Sequence, residues 1–450
     1  MNAKTKRIAG LTVLFAALAC AGLLISAAFI AKAADTQRAL ENMYQKSFYD
    51  LTANVGNIDV RLSKLMAAGS LETEKNTAAE IWRQANIAAD NIAQLPLKHE
   101  EMSETVKFLN QTGDFGHSLC KKLNAGQTLT DADRKTVEDL QARCGRANAE
   151  LLRVSEKLQG DWKISDHVDR GQAGRSGGAA FGDGWADLQI QSVDYPRMIY
   201  DGPFSDALEK KGYKAVEGAP EIGGEQAAER IRHILSDMNV SDVKFLGDAN
   251  GDVETHEFEV RTQKGNYYVQ MTVRGAFPVM AQSDRAVGAG KIDAGEAVRL
   301  AEKFAAEKLE LKDMRGVWVN LFGGAATVNL APEQDGAVIY PELVKVKVAL
   351  DDGQITGVEA RAYARGHGED RTVPTARLTE GEALKKVSPR LDVSHIRKAV
   401  IPRDGGREAL AYEFWASYKD FDYIVYINAE TGAEEDILRV IDKNQGNMII

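Results

Sequence analysis

Cysteine is scarce in this sequence, with Cys20, Cys120 and Cys144 as the only three among 450 residues. So few cysteines exclude the dense disulfide framework of a small secreted domain. A single bond between Cys120 and Cys144 is left open, but helices flanking a turn near Gln127 would offset the two residues by roughly 15 Å along the helix axes. A disulfide requires Cα atoms within about 7 Å. We therefore predict two buried free thiols.

Basic residues are too few for a typical nucleic-acid-binding protein. The chain holds 56 Lys and Arg against 66 Asp and Glu, which gives a formal net charge of -10. Proteins that bind nucleic acid generally present a basic surface, so no nucleic-acid partner is expected. The length is enough for roughly two to four domains that each bury a core.

Motifs for metal binding and nucleophilic catalysis are missing as well. The seven histidines form no HExxH motif and no close pair, and no GxSxG motif is present, so neither a zinc site nor a serine hydrolase is indicated. The best metal candidate is DANGDVETHEFE, Asp248–Glu259, but its glycine stands fourth, whereas a calcium loop requires glycine sixth, where Val253 stands. A hairpin turn at Asn250-Gly251 explains this segment better. We predict no catalytic, cofactor-binding or metal-ligating residues.

Two acidic pairs, Glu434 with Glu435 and Asp201 with Asp206, have the residue type that glycoside hydrolases use as acid and base. Acidic pairs at turns and strand ends are usually solvated surface. We predict a solvated surface for both pairs.

One long uncharged run stands out near the N-terminus. Ile8–Ala31 holds 24 residues without a charge, about 36 Å of helix against a hydrocarbon core of about 30 Å. Three basic residues precede it, namely Lys4, Lys6 and Arg7. This pattern predicts a single-pass transmembrane anchor with a cytoplasmic N-terminus and the remaining chain on the outer side. Two alternatives stay open: a signal peptide cleaved at Ala31-Lys32-Ala33, and a lipoprotein acylated at Cys20.

Proline is almost absent from Asp35 to Gly160, where only Pro96 occurs, and the composition favours long helices. We predict four. The first ends near Ala67, the second covers about Glu72 to Gln94, the third about Lys98 to Leu123, and the fourth opens at Thr130, which forms a capping box with Asp133. Short loops favour an antiparallel four-helix bundle; a longer coiled-coil stalk is the alternative.

Glycine is concentrated in one segment, with six residues in the sixteen from Asp169 to Gly184. This composition predicts a linker. Exposed glycine-rich linkers are easily cut, so we also predict proteolytic cleavage here. YDGPFSD, Tyr200–Asp206, follows it and predicts a turn before a short helix capped by Ser205.

A helix followed by alternating strands recurs three times after Gly223. The three helices begin near Glu225, Ala294 and Thr379. Each precedes a β meander with period-two alternation, and Asp352-Gly353 and Thr431-Gly432 read as hairpin turns. Strands such as YIVYIN are apolar on both faces, so a helix or a neighbouring unit must cover the second face.

The predicted fold class is therefore α+β: a transmembrane helix, an antiparallel helical bundle and three helix-plus-antiparallel-sheet repeats. The predicted domains are 1–34 (cytoplasmic stub and anchor), 35–165 (bundle), 166–222 (linker and YDGPFSD segment), 223–290, 291–372 and 373–450 (the repeats).

Three ordered segments carry a resemblance to a known family. They are YDGPFSD, VIYPELVKVKVALDDGQITGVEARAY from Val338 to Tyr363, and YIVYINAETGAEEDIL from Tyr423 to Leu438. On these segments the chain resembles the YpeB family of germination proteins of spore-forming Firmicutes, from about Tyr195 to its end. The repeats resemble PepSY modules, of which the third, with INAETG before its last strand, is clearest.

This resemblance implies a non-enzymatic protein of the spore inner membrane, with its body facing the cortex. It implies a role in stabilising and localising a SleB-type cortex-lytic hydrolase until germination, when a protease removes the protein. A PepSY-type inhibitor of that hydrolase, released by proteolysis, is the alternative. No cofactor is implied. The residues predicted to contact the partner or to form a structural signature are Tyr200, Asp201, Gly202, Pro203, Phe204, Tyr340, Pro341, Thr431 and Gly432.

Overall fold

The computed structural model describes residues 3–97, 99–158, 164, 212–250, 253–368, 371–403, 407–442 and 448–449. Contacts divide the chain into two compact units, and each is described by itself. Unit 1 comprises Met1–Leu62 and Thr77–Arg197, and unit 2 comprises Ser63–Asn76 and Met198–Ile450. The mixed α+β class predicted from the sequence is confirmed.

Four long helices follow one another in the N-terminal part of the chain. They are α1 (Ala3–Ala67), α2 (Leu71–Ala93), α3 (His99–Asn124) and α4 (Asp131–Leu158). The predicted ends agree within one or two residues. The amide of Thr130 donates to Asp133 Oδ2 at 2.7 Å and the amide of Asp133 donates to Thr130 Oγ1 at 3.3 Å, so the predicted capping box is confirmed.

Within unit 1 the helices pack antiparallel. Gln141 Nε2 of α4 donates to Asp59 Oδ1 of α1 at 2.7 Å. Cys144, further along α4, donates its thiol hydrogen to the carbonyl of Val55 at 3.3 Å, and Val55 precedes Asp59 in α1, so α1 and α4 run in opposite directions. Gly116 of α3 lies so close to α2 that a Cβ there would stand 3.0 Å from the Trp82 amide nitrogen. These contacts support the predicted bundle over a single extended stalk.

Cys120 and Cys144 are free thiols, as predicted, and Cys20 is also free. Cys144 is buried, and Cys120 is only half-buried, so the expectation of full burial holds for one of the two. Burial raises the pKa of the Cys144 thiol well above its usual value, with a further contribution from the charge of Asp59.

The predicted membrane anchor requires correction. A spanning helix needs roughly 20 consecutive apolar residues. Across the residues that the structure describes, no helix combines the length and apolar character that crossing a bilayer demands. On this criterion the predicted single-pass anchor is wrong, and so is the location in the spore inner membrane that was built on it.

In unit 2, a helix followed by mostly antiparallel strands occupies each of the three ranges that the sequence assigns to a repeat, and these ranges keep the name of repeats below. The first has α5 (Gly224–Ile234), β1 (Val240–Asn250), β2 (Glu254–Thr262), β3 (Gly265–Thr272) and β4 (Pro278–Ser283). The second has α6 (Ala294–Glu307), β5 (Met314–Phe322), β6 (Ala325–Gln334), β7 (Ala337–Ile339), β8 (Val344–Ala349), β9 (Ile355–Glu359) and α7 (Arg361–Gly366). The third has α8 (Glu380–Leu384), β10 (Asp392–Arg403), β11 (Arg407–Tyr418), β12 (Phe421–Asn428), β13 (Glu434–Asp442) and β14 (Met448–Ile449).

The first two repeats share one sheet and one core. Their last strands, β4 and β9, pair antiparallel, so the strand order runs β1-β2-β3-β4-β9-β8-β6, with β5 on β6. Helices α5 and α6 contribute to a single hydrophobic cluster with this sheet, through residues such as Ile231 and Phe304. The two repeats therefore behave as one packing unit.

The third repeat joins through β7, which pairs parallel with β10. Strand β12 is buried on both faces, as predicted. Tyr423 and Val425 lie in one hydrophobic cluster of the third repeat, and Ile424 and Tyr426 lie in a second cluster that includes Trp318 of the second repeat. A neighbouring repeat thus covers the second face of this sheet.

The predicted hairpins are present. Gly353 and Gly432 adopt positive φ angles of 80° and 73° at their turns, the left-handed conformation that glycine tolerates best. Strands β1 and β2 pair antiparallel with Asn250 opposite Glu254, which agrees with the hairpin interpretation of DANGDVETHEFE. Gly251 itself lies outside the described residues.

Candidate partner-binding site

The predicted signature residues fall into three places. Tyr200, Asp201, Gly202, Pro203 and Phe204 lie outside the described residues, as does the pair Asp201 and Asp206, so a contact between YDGPFSD and a partner stays a prediction. Tyr340 and Pro341 form a buried 3₁₀ turn between β7 and β8. Thr431 and Gly432 lie in the turn between β12 and β13.

Tyr340 belongs to a buried network that we call the inter-repeat joint, formed by Trp318, Tyr340, Arg397, Glu413 and Trp415. The Tyr340 hydroxyl donates to Glu413 Oε2 at 2.6 Å and accepts from Arg397 Nη2 at 2.7 Å. Arg397 Nε also donates to Glu413 Oε1 at 2.7 Å. The signature tyrosine therefore connects the second repeat to two strands of the third.

Glu413 is the centre of this joint. Its side chain is 0% exposed, and it accepts a further hydrogen bond from Trp415 Nε1 at 2.7 Å. Trp318 stacks on both Tyr340 and Trp415, with ring centroids 5.8 and 5.7 Å apart. Burial and the charge of Glu413 raise the pKa of the Tyr340 phenol well above its usual value, so it stays a neutral donor.

The residue after Pro341 extends the joint into a second set of charges. Glu342 is 1% exposed; it forms an ion pair with Arg371 and lies 2.7 Å from His367 Nδ1, measured from Oε2. Arg371 also pairs with Glu408 of β11 at 2.5 Å. Tyr340, Pro341 and Glu342 thus have a structural role in joining two repeats.

Sequence reasoning missed the charged members of this joint. One signal was present: Glu413 stands inside ALAYEFWA, a segment whose other residues are all apolar or aromatic. A charge in such a run must find a buried partner. The sequence pattern does not show that the partner is Arg397.

The Thr431-Gly432 turn is organised by Asn428. Asn428 Oδ1 accepts from the amides of Glu430 and Thr431 at 2.8 and 2.9 Å, and the Gly432 amide donates to the Asn428 carbonyl at 2.9 Å. INAETG is therefore a self-capped turn that fixes the direction of the chain as it enters β13 at Glu434.

Glu434 forms part of what we call the corner site, with Arg390 and Tyr423. This site holds the corner segment Ser63–Asn76, which belongs to unit 2 and contains the turn between α1 and α2. Glu434 accepts from the amides of Gly69 and Ser70, with shortest distances of 3.1 and 3.3 Å. Sequence reasoning gave no indication of this contact.

Arg390 and Tyr423 bind carbonyls on the other side of the corner. Arg390 donates to the carbonyls of Met66 and Ala68 at 3.1 and 2.6 Å, and the Tyr423 hydroxyl donates to the carbonyl of Ser63 at 3.1 Å. The carbonyl groups at the C-terminus of α1 therefore contact the positively charged Arg390, and the amide groups at the N-terminus of α2 contact the carboxylate of Glu434. Free carbonyls at a helix C-terminus favour a cation and free amides at a helix N-terminus favour an anion.

The corner segment also completes the core of the third repeat. Ala67 and Ala68 belong to the same hydrophobic cluster as Tyr423 and Val425. Helix α8 has only 5 residues, against 11 in α5 and 14 in α6. A short helix covers less of its sheet, and the small side chains of the corner segment pack on the same hydrophobic cluster.

Glu434 and Glu435 are not the solvated pair that the sequence predicts. Glu434 binds the corner segment, while the side chain of Glu435 is 6% exposed, pairs with Arg403 and accepts from Asn428 Nδ2 at 2.6 Å. The prediction was wrong because partners distant in sequence enclose both carboxylates. Among the described residues no cluster of three or more His, Cys, Asp or Glu side chains has the arrangement of a metal site.

The pH dependence of corner binding follows from Glu434. Burial raises the pKa of its carboxyl, although hydrogen bonds from Thr73, Gly69 and Ser70 lower it in part. Glu434 therefore binds a proton more tightly when the corner segment is bound than when it is released. Protonation of Glu434 thus favours the bound corner segment, and this stabilisation is lost as pH rises from about 4.3, the ordinary glutamate value, through the raised pKa.

We expect the Gly69 and Ser70 amides to lose protection against hydrogen exchange as pH is raised from 4.5 to 7.5, after correction for the intrinsic exchange rates. Glu434→Gln, which stays neutral and still accepts a hydrogen bond, should remove most of this change. A wild-type protection that increases with pH would contradict the prediction.

These structural features coincide with two family models. The YpeB N-terminal model matches residues 32–166, and the model of the YpeB sporulation PepSY1 and PepSY2 domains matches residues 182–374. The chain therefore belongs to the YpeB family of sporulation proteins. This is not a known enzyme family, and it supports a role in sporulation or germination.

Curated relatives agree with this assignment. The chain is 28% identical over 406 residues to the sporulation protein YpeB of Halalkalibacterium halodurans, covering 88% of this chain and 89% of that protein. It is 26% identical over 424 residues to the sporulation protein YpeB of Bacillus subtilis, with the same coverage. The solved Bacillus megaterium YpeB C-terminal domain aligns at 24% identity with a TM-score of 0.45, covering 50% of this chain and 100% of that one.

Proposed function

We propose that this protein is a non-enzymatic binding partner that stabilises and localises a SleB-type cortex-lytic hydrolase until germination, when cortex peptidoglycan is degraded. Membership of the YpeB family supports the germination context. The observation that carries the proposal is the corner site, where the third repeat holds a polypeptide segment through Arg390, Tyr423 and Glu434. The repeat thus has a surface suited to binding protein.

The carboxylates of Glu413, Glu342 and Glu434 are already bound by other groups of the protein, which supports a non-enzymatic role. Glu413 is held in an ion pair inside the joint and Glu342 in an ion pair with Arg371, and Glu434 accepts from backbone amides. A general acid or base needs a carboxyl within reach of substrate. These three groups serve structure and binding.

An immunoblot for the hydrolase in dormant spores tests the stabilising role. We expect the hydrolase to be lost when the gene for this protein is deleted, with its transcript intact, and to return on complementation. Unchanged hydrolase in the deletion strain would contradict the proposal.

Inhibition is the second candidate, because a repeat that binds a segment of the hydrolase beside its cleft would also block access to that cleft. Adding the purified protein to active hydrolase separates the two functions. A stabiliser should leave turnover on cortex peptidoglycan unchanged, whereas an inhibitor should lower it in proportion to the amount added.

Proteolysis during germination completes the proposed cycle. The glycine-rich segment Asp169–Gly184, outside the described residues, is the proposed cleavage region. N-terminal sequencing of the fragments from germinating spores should place the first cut there. A first cut within the strands of the repeats would count against this part of the proposal.

A further inference from the structure

The corner site recognises the main chain more than the side chains of its occupant. Three of the contacted atoms are carbonyl oxygens, of Ser63, Met66 and Ala68, and two are amide nitrogens, of Gly69 and Ser70. Main-chain groups are the same in every protein. The site therefore recognises the backbone conformation of a turn between two helices.

Glu434 also accepts from the side chains of Ser70 and Thr73, but steric limits supply the stricter sequence requirement. Ala67 and Ala68 are 0% and 1% exposed within the cluster of the third repeat. A Cβ added at Gly69 would lie 2.8 Å from the Ser388 nitrogen and 3.1 Å from Glu434 Oε2. A corner that fits must have two small residues and then glycine, between the C-terminus of one helix and the N-terminus of the next.

We propose that the third repeat is a receptor for such a corner, that Ser63–Asn76 occupies it reversibly, and that the released receptor binds the corresponding corner of a protein partner. The protein is then autoinhibited by its own segment. This inference deepens the proposed function by naming the partner surface. Its test uses this chain alone, so it can fail while stabilisation of the hydrolase stands.

The first test opens the site from the side of the segment. Gly69→Val and Ala68→Arg each disrupt the corner segment and leave the receptor residues intact. A fluorescent peptide with the wild-type sequence of residues 56–80 should bind either full-length variant at least tenfold more tightly than the wild type, because a tethered competitor has an effective concentration near the millimolar range.

Two controls isolate the corner. Gly381→Ala places a Cβ in open space in the same repeat, so peptide binding should match the wild type. Adding Glu434→Ala and Arg390→Ala to the Gly69→Val protein should abolish the gained binding. Folded Gly69→Val and Ala68→Arg proteins that bind no more peptide than the wild type would overturn the proposal.

A measurement on the wild-type protein covers the case in which the variants do not fold. If release is reversible, the amides of Gly69 and Ser70 should exchange through a local opening that is insensitive to low denaturant concentrations and faster than exchange in β12. Exchange of these two amides only together with β12, at every denaturant concentration, would show that the corner is a permanent part of the core and would overturn the proposal.

Discussion

Glu413→Ala should lower the free energy of unfolding of the third repeat by about 3–5 kcal/mol, the typical cost of removing one partner of a buried ion pair. The change leaves the guanidinium of Arg397 without its carboxylate in a site where Glu413 is 0% exposed. It also removes the acceptor for the Tyr340 hydroxyl and for Trp415 Nε1. Urea unfolding followed by tryptophan fluorescence is the suitable measurement, since Trp318 and Trp415 stack in the joint.

The matched control is Glu430→Ala in the same repeat. Glu430 pairs with Arg377, and their side chains are 55% and 75% exposed, so the loss should stay within about 0.5 kcal/mol. A chain with two units need not unfold in one step, and the comparison therefore concerns the transition that the tryptophans report. Equal midpoints for the two variants would show that the joint contributes little.

Arg371→Ala should have a loss of similar size, about 3–5 kcal/mol. It removes the ion pairs to Glu342 and Glu408 and the hydrogen bond to the Gly366 carbonyl. Glu342 would remain buried with His367 as its neighbour at 2.7 Å. The midpoint of thermal unfolding should fall by at least about 6 °C, taking about 2–4 °C per kcal/mol for a domain of this size.

Two comparisons show whether the guanidinium itself is responsible. Arg371→Lys keeps the charge but loses the forked geometry that reaches two carboxylates, so its loss should be intermediate. Arg377→Ala removes an exposed arginine of the same segment and should leave the midpoint almost unchanged. An Arg371→Ala midpoint equal to that of Arg377→Ala would contradict the assigned role.

Both predictions concern a signature that the sequence singled out without revealing its use. VIYPELVKV identified Tyr340 and Pro341 as notable, and the structure shows that the turn they form carries Tyr340 to Glu413 and Glu342 to Arg371. INAETG identified Thr431 and Gly432, and the turn they form directs Glu434 into the corner site. In each case the charged residue that makes the contact either follows the signature in sequence, as Glu342 and Glu434 do, or is bound by a signature residue, as Glu413 is by Tyr340.

The sequence by itself determined the local features of this protein. Scarce proline and the Thr130–Asp133 cap placed the long helices, and period-two alternation with glycine turns at Gly353 and Gly432 placed the repeats. These features depend on residues within a few positions of one another, so a linear pattern contains them. It also suggested an anchor that the described helices do not support.

The tertiary structure alone decided which charges are buried and what covers the third repeat. Gly69 and Glu434 are 365 residues apart in the chain, and Tyr340 and Glu413 are 73 apart. Pairing over such distances depends on which strands become neighbours and on how much of a sheet its own helix covers. Composition and periodicity carry no information on either, since both follow from packing the whole chain at once.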